Sequence, residues 1–146
     1  LQTEGTAINW REGSIGFRLP TEAEWEAAAR SNTRFLYAGG AQLKEVAWGF
    51  NQASGRKMAV GLKKSNAWGL YDMTGNVWEW CQEAIYPYDG FVIDPVYREM
   101  SYPFFGFKKI CRGGAWCVPK FLSTRTYRNA QMPDCYYQFI SFRVCK

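Results

Sequence analysis

The chain has 146 residues, of which 47% are hydrophobic and 18% aromatic, and its formal net charge is +5. This length suits one domain with one core, and no apolar run approaches the ~20 residues that a membrane-spanning helix needs. The chain contains no histidine, which excludes Ser-His-Asp and Cys-His catalysis and any histidine-ligated iron or zinc site within it. Adjacent cations never exceed two in a row, so the charge predicts a basic surface and not a nucleic-acid interface.

The cysteines predict mainly reduced thiols. There are five of them, which is an odd number, and no two form a Cys-x-x-Cys pair. Neither a complete disulfide framework nor a zinc knuckle is therefore indicated, although the sequence leaves one disulfide open. The five residues are Cys81, Cys111, Cys117, Cys135 and Cys145.

The N-terminal part predicts a short strand from Thr6 to Trp10 and then a capped helix from Pro20 to Arg30. Thr21 can cap this helix, and Glu24 lies three residues later, where its side chain completes a capping box. Ser31 and Asn32 are expected to end the helix. The buried stripe of the helix is expected at Trp25, Ala28 and Ala29.

Further along, the pattern alternates between long loops and short strands. Tyr37 to Lys64 is glycine-rich and irregular, which predicts ordered loop, and Gly69 to Trp80 predicts a turn that enters a strand. Tyr86 to Phe107 holds aromatics and prolines without a period and predicts a long loop packed by its own side chains. Lys109 to Trp116 predicts a strand with a glycine pair, and Ile140 to Cys145 alternates like a closing strand.

Four blocks of the sequence carry a family resemblance. They are Gly16-Phe17-Arg18-Leu19-Pro20-Thr21-Glu22-Ala23-Glu24-Trp25-Glu26, the stretch from Gly69 to Trp80, Arg112-Gly113-Gly114-Ala115-Trp116, and Phe142-Arg143-Val144. In order and spacing these blocks resemble the formylglycine-generating, or sulfatase-modifying, family. The resemblance implies an α+β fold of the C-type-lectin-like kind, with a small twisted antiparallel sheet, one or two helices and extensive ordered loops. We expect residues 1–146 to form a single domain, shorter at its start than the enzymes of the family.

One branch of the family oxidises a substrate cysteine to formylglycine with copper held by two cysteines. On the spacing of that branch, the two copper positions are Val118 and Ser123 in this chain, and Cys117 is one residue away from the first. Valine has no donor atom for copper. The resemblance thus implies a chain without the catalytic residues of the enzymes, and no copper is expected.

A second branch comprises the sulfoxide synthases of ergothioneine-type pathways, whose second domain this chain resembles. The similar stretches are Tyr86 to Phe91, Ser101 to Phe105, Arg112 to Trp116, Tyr127 to Asn129 and Phe139 to Arg143. Those enzymes bind iron through three histidines of a separate helical domain. Since this chain has no histidine, it would be a detached second domain, and no iron is expected.

A third branch comprises the variable proteins of diversity-generating retroelements, which use the fold as a ligand-binding scaffold. Their C-terminal segment is rewritten by mutation of adenines, and the corresponding segment here is Arg112 to Lys146. Lys120, Gln131 and Gln138 are less readily reached from an Asn codon and are expected as fixed neighbours of the variable positions. The positions that an Asn codon can reach are Cys117, Val118, Phe121, Leu122, Cys135, Tyr136, Tyr137 and Phe139.

The chemistry of this segment favours a macromolecular ligand, and a protein in particular. Tyr and Phe supply large contact areas at low entropic cost, and aromatics beside Arg125 and Arg128 would suit a protein partner. About half of these aromatics are equally well explained as core residues. Because Cys135, Tyr136 and Tyr137 are consecutive, at least one of them should be exposed. The predicted ligand-binding residues are Cys117, Val118, Lys120, Phe121, Gln131, Cys135, Tyr136, Tyr137, Gln138 and Phe139.

A structural calcium site is a further expectation. Asp72, Glu79 and the carbonyls of Gly75 and Val77 resemble a calcium site of the formylglycine enzymes, and calcium prefers such oxygen ligands. The sequence leaves an alternative open, in which Asp72 and Asn76 bond turn amides and Glu79 pairs with a cation. The function predicted from the sequence is thus a non-catalytic binding module, and the alternative is the detached C-terminal domain of a sulfoxide synthase or formylglycine-type oxidoreductase.

Overall fold

The computed structural model describes residues 2–4, 7–9, 13, 15–92, 94–95 and 105–146. The elements in chain order are β1 (Gln2–Glu4), β2 (Ala7–Asn9), α1 (Glu22–Arg30), α2 (Leu43–Val46), β3 (Trp78–Ala84), β4 (Lys109–Arg112), a 3₁₀ helix (Lys120–Ser123), β5 (Asn129–Gln131) and β6 (Ile140–Ser141). The expected opening strand is β2, which pairs with β1, although Thr6 and Trp10 lie outside the described residues. Part of the predicted loop from Tyr86 to Phe107 also lies outside them. Within the described residues, no helix combines the length and the apolar character needed to span a membrane.

Helix α1 begins and ends where the sequence predicted. The Thr21 side chain accepts a hydrogen bond from the Glu24 amide at 3.1 Å, and the Glu24 carboxylate accepts from the Thr21 amide at 2.8 Å. Ser31 ends the helix in the left-handed conformation with φ 42°. The first helical amide, that of Glu22, donates its one hydrogen to both carboxylate oxygens of Glu83 on β3, at 3.0 and 2.9 Å. A negative charge at this end complements the helix dipole.

The main sheet has four strands in the order β5-β4-β3-β6. Strand β4 pairs antiparallel with both β3 and β5, as expected. Strand β6 instead runs parallel to β3, with Trp78 opposite Ile140, so the sheet is mixed and not wholly antiparallel. The chain leaves β5 at one edge of the sheet and reaches the opposite edge through residues 132–139. A connection that crosses the sheet in this way permits a parallel pair, which a tight hairpin cannot give.

Both faces of this sheet are covered. Adjacent residues of β4 point to opposite sides of the sheet, and each belongs to a different buried cluster. Ile110 joins a core cluster with Trp25 and Ala29 of α1. Cys111, the next residue, belongs to a cluster on the other side with Trp78 and Ala115. The helix therefore covers one face, and the C-terminal segment covers the other.

The long stretch from Tyr37 to Lys64 contains the short helix α2, which the sequence did not predict. Val46 of this helix is buried with Tyr37 and Ala47 in a separate small cluster. All five cysteines are free thiols. Burial raises the pKa of Cys81 and raises that of Cys111 to about 12, so both behave as small apolar core residues.

Candidate functional site

Segment 112–146 is joined to the rest of the fold by arginine side chains, the first of which is Arg112. This residue ends β4 and has no exposed surface. Its guanidinium donates to Glu22 Oε1 at 2.8 Å and to Glu26 Oε2 at 2.6 Å, both on α1, and to the carbonyl of Arg125 at 2.6 Å. A buried charge is tolerated only when it is paired and hydrogen-bonded. The two glutamates therefore compensate Arg112 and fix the start of the segment against the helix.

Arg125 and Arg128 also anchor the segment, which corrects the expectation that they border an exposed binding surface. Arg125 is only 7% exposed and donates to the carbonyl of Thr33 at 2.6 Å, and burial lowers its pKa. Arg128 donates twice to the Glu22 carboxylate, each time at 2.7 Å. Its guanidinium also lies 4.1 Å from the ring centre of Tyr88. Both arginines are thus occupied by contacts within the fold.

Arg143 fastens the end of the segment to β3. Its Nε and Nη2 atoms each donate to the Glu79 carboxylate at 2.6 Å, and Trp25 Nε1 donates to the same carboxylate at 2.6 Å. Burial works against the charge of Arg143, but the hydrogen bonds to Glu79 and the attraction of the Glu79 and Asp72 charges together outweigh it and raise the pKa of Arg143. Backbone bonds between Arg18 and Cys145, 2.9 Å in each direction, also tie the C-terminus to the segment before α1.

Three of the predicted ligand-binding residues pack against the apolar cluster of Trp78, Cys111 and Ala115. They are Cys117, Val118 and Phe139, and each is half-buried. The Phe139 carbonyl accepts a hydrogen bond from the Trp78 amide at 2.8 Å. These residues therefore form an apolar layer beneath the surface, in which they pack on the core more than they face the solvent.

Another part of the predicted set is strongly exposed. Phe121 is 62% exposed, Tyr136 is 95% exposed and Tyr137 is 46% exposed, which agrees with the expectation that at least one residue of the Cys135–Tyr137 run faces solvent. Lys120 and Gln138 are exposed next to them in the chain, while Gln131 on β5 and Cys135 are half-buried. We call the exposed set Lys120, Phe121, Tyr136, Tyr137 and Gln138 the presented residues.

The two positions that correspond to the copper-binding cysteines do not fit copper. Val118 has no donor atom and is packed in the apolar layer. Ser123 is fully buried against Gly114, where a methyl group added to the glycine would lie 2.6 Å from the Ser123 Cα atom. Gly114 itself has φ +84°, which favours glycine. Gly114 thus allows the chain after β4 to pack closely on the 3₁₀ helix, whereas Gly113 lies against Trp25 of α1.

The predicted calcium ligands fit the metal only in part. Asp72 is buried, its Oδ2 accepts from the Gly61 amide at 2.7 Å, and its Oδ1 has no hydrogen-bond partner among the described residues. That oxygen fits a cation ligand. The carboxylate of Glu79 does not fit in this arrangement, because it is already bonded to Arg143 and Trp25. Gly75 lies in the same turn, and its amide donates to the Gly113 carbonyl at 2.8 Å.

The arginine anchors are the functional feature that sequence reasoning missed. Arg112 contacts glutamates 90 and 86 positions earlier in the chain, and Arg143 contacts one 64 positions earlier. The signal in the sequence was a pair of glutamates four positions apart on α1, Glu22 and Glu26, which lie on the same side of the helix. Such a pair could have indicated partners for a buried cation.

Several characterised proteins are similar to this chain. Serine/threonine-protein kinase pkn1 of Chlamydia pneumoniae is 37% identical over 90% of this chain and 21% of its own length. The hercynine oxygenase of Mycolicibacterium smegmatis is 34% identical over 81% of this chain and 30% of its own length. The formylglycine-generating enzyme of Mycobacterium tuberculosis is 43% identical over 55% of this chain and 31% of its own length. The chain thus spans less than a third of each of these relatives.

Among solved structures, Treponema denticola variable protein 1 matches with a TM-score of 0.75 and 34% identity, over 88% of this chain and 47% of that one. The small sheet with a helix on one face and ordered loops on the other defines a C-type-lectin-like protein of the formylglycine-generating type. The sulfatase-modifying factor enzyme 1-like domain matches residues 5–146, and the chain belongs to this family.

Proposed function

We propose that this chain is a non-catalytic, protein-binding module of the kind found as variable proteins in diversity-generating retroelements. The observation that carries the proposal is the placement of the presented residues, with Tyr136 95% exposed and Phe121 62% exposed in a segment that is otherwise firmly anchored. Exposed large aromatics on a rigid support are typical of protein-binding surfaces. The likeness to Treponema denticola variable protein 1 supports the same function.

The residues that attach the segment to the fold differ from those that are exposed, which also supports the proposal. The anchoring contacts come from arginines whose partners are glutamates and backbone carbonyls of the scaffold. The presented residues lie between these anchors, so changes at exposed positions such as Tyr136 would leave the anchors intact. A surface that must accept many side chains without unfolding requires this separation.

The alternative function is that of a detached C-terminal domain that works with a separate catalytic partner. The similarity to hercynine oxygenase over 81% of this chain favours this alternative. In that case the segment would be as conserved within a population as the rest of the chain.

Sequencing the locus from many individuals of one population tests the two functions against each other. For the variable protein we expect substitutions confined to residues 112–146 and concentrated at positions such as Cys117, Val118, Tyr136, Tyr137 and Phe139. The four anchoring arginines provide the internal control, because they should be invariant. A segment that drifts no faster than residues 15–92 would contradict the proposal and favour the detached domain.

We also propose a structural calcium ion centred on Asp72, with the carbonyls of Gly75 and Val77 as further ligands. It rests on the buried Oδ1 atom of Asp72, which has no hydrogen-bond partner in the part of the chain that the structure describes. Calcium at about 100 times its Kd should stabilise the protein by about 2.7 kcal/mol. Asp72→Asn should abolish this rise in unfolding temperature, whereas Asp89→Asn, at an exposed loop position, should retain it. An unfolding temperature of the unmodified chain that is equal in calcium and in chelator would exclude the site.

A further inference from the structure

The loop that carries Tyr136 and Tyr137 is fixed by a set of contacts within the chain. The Cys135 amide donates to the Met132 carbonyl at 3.0 Å, and the Ile140 amide donates to the Tyr137 carbonyl at 3.2 Å. The ring of Tyr137 stacks on that of Phe139, with ring centres 4.9 Å apart and planes within 6° of parallel. A hydrogen bond with the Cys135 side chain raises the pKa of the Tyr137 phenol. Both the backbone and the ring of Tyr137 are therefore held in place.

We infer that, with the side chains present in this chain, Tyr137 is the preorganised anchor of the binding face, and that Phe139 is a positioning residue that holds the Tyr137 ring. The inference rests on the proposed function and deepens it. Phe139 is itself half-buried on the cluster of Trp78, Cys111 and Ala115, so it transmits the rigidity of the sheet to the Tyr137 ring. Ordering a side chain at an interface costs free energy, and a ring ordered before binding avoids this cost. Tyr136 is 95% exposed and contributes area without such a support.

The shape of the face indicates the class of partner. The presented aromatics Phe121, Tyr136 and Tyr137 are 62%, 95% and 46% exposed, whereas small molecules are mostly enclosed in concave sites. A groove of about 520 Å³ does exist, but it lies along α1 and is lined by none of residues 112–146. One side of the Tyr137 ring is covered by Phe139, and 46% of the residue is exposed to a ligand. The fitting partner is a folded protein that supplies a pocket for a phenol ring.

The first test needs no ligand and uses NMR of the intact chain. Stacking at this distance should give a nuclear Overhauser contact between the two rings and an upfield ring-current shift of the Tyr137 protons. Phe139→Leu keeps an apolar residue in the layer and should remove both signals, while Phe139→Tyr should restore them. Phe121→Leu, at an exposed aromatic outside this stack, is the matched control and should leave Tyr137 unchanged. Unchanged Tyr137 signals in Phe139→Leu would overturn the positioning role.

The second test measures binding with defined probes. A phage-displayed library of folded single-domain proteins is selected on the unmodified chain, and a glycan array is probed in parallel. We expect protein clones whose affinity falls more than tenfold with Tyr137→Ala and with Phe139→Leu, as for truncated hot spots. Leu62→Ala, at an exposed apolar position outside the segment, should have no effect.

The outcomes separate this inference from the proposed function. Clones that bind the segment but tolerate Tyr137→Ala and Phe139→Leu would overturn the role inferred for Tyr137 and leave the proposed function standing. Clones that bind elsewhere and tolerate every change within residues 112–146 would count against both. Binding to glycans alone, without protein clones, would overturn the assignment of the partner class.

Discussion

Replacing Arg112 by methionine should destabilise the protein strongly, because Arg112 is buried and joins the end of β4 to α1 and to the backbone of Arg125. The substitution removes three hydrogen bonds, at 2.8, 2.6 and 2.6 Å, and leaves Glu22 and Glu26 without their shared cation. Breaking a buried ion pair by removing one partner costs about 3–5 kcal/mol. Since Glu22 keeps Arg128 and Glu26 keeps Arg30, we expect the lower end, about 3 kcal/mol.

This free energy can be converted into a melting temperature. With an unfolding entropy of about 2.1 cal/mol/K per residue, a chain of 146 residues loses about 10 °C for 3 kcal/mol. Thermal unfolding followed by circular dichroism measures the change. The matched control is Arg30→Met, which removes a second arginine from Glu26. The Arg30 side chain is 44% exposed, so that change should cost no more than about 1 kcal/mol. If Arg112→Met melts within 3 °C of the unmodified chain, the view that this network holds the segment is wrong.

Three further predictions concern packing, pH and thiol reactivity. Gly114→Ala should cost about 3 kcal/mol or more, because its methyl would lie 2.6 Å from a backbone atom, whereas Gly55→Ala, at a similar positive φ in open space, should cost about 1–2 kcal/mol in chemical denaturation. The hydrogen bond to Arg18 lowers the pKa of Glu24 to about 2 from 4.5. The contribution of the ionised Glu24 to stability is therefore complete above pH 4.5 and is lost as the pH falls toward 2. Glu24→Gln should flatten this acid dependence of the unfolding free energy, and an unchanged acid profile would count against the pairing. At pH 8, iodoacetamide should modify the three half-exposed thiols of the native chain but reach Cys81 and Cys111 only after denaturation, as mass spectrometry can verify.

The sequence predicted the parts of the fold that depend on neighbouring residues. Helix α1 is an example, since the signals for its start at Thr21 and its end at Ser31 lie within the helix or next to it. The direction of β6 could not be predicted, because it depends on how residues 132–139 cross the sheet. The burial of Arg125 was missed for a similar reason: its acceptor is the carbonyl of Thr33, 92 positions away, and a backbone carbonyl leaves no mark in a sequence.

The candidate site shows the same limit from another side. The sequence predicted the binding residues but could not tell which of them are exposed and which pack on the core. Tyr137 and Phe139, for example, are both aromatic, and they differ mainly in what they contact. The structure distinguishes them, since Phe139 packs on the cluster of Trp78 whereas Tyr137 is 46% exposed.

The way in which segment 112–146 is held has a consequence for how far it can vary. Four arginines of the segment, Arg112, Arg125, Arg128 and Arg143, bond to the scaffold, and their acceptors are two-oxygen carboxylates or backbone carbonyls. Paired guanidinium groups fix position and direction at once. Anchors of this kind do not depend on the exposed side chains between them, so exposed residues such as Phe121 and Tyr136 can change size and polarity at little cost to the fold. A segment held mainly by apolar packing would lose stability with nearly every such change. The arginine anchors are therefore the physical reason why this fold can display an aromatic face on a short, irregular segment.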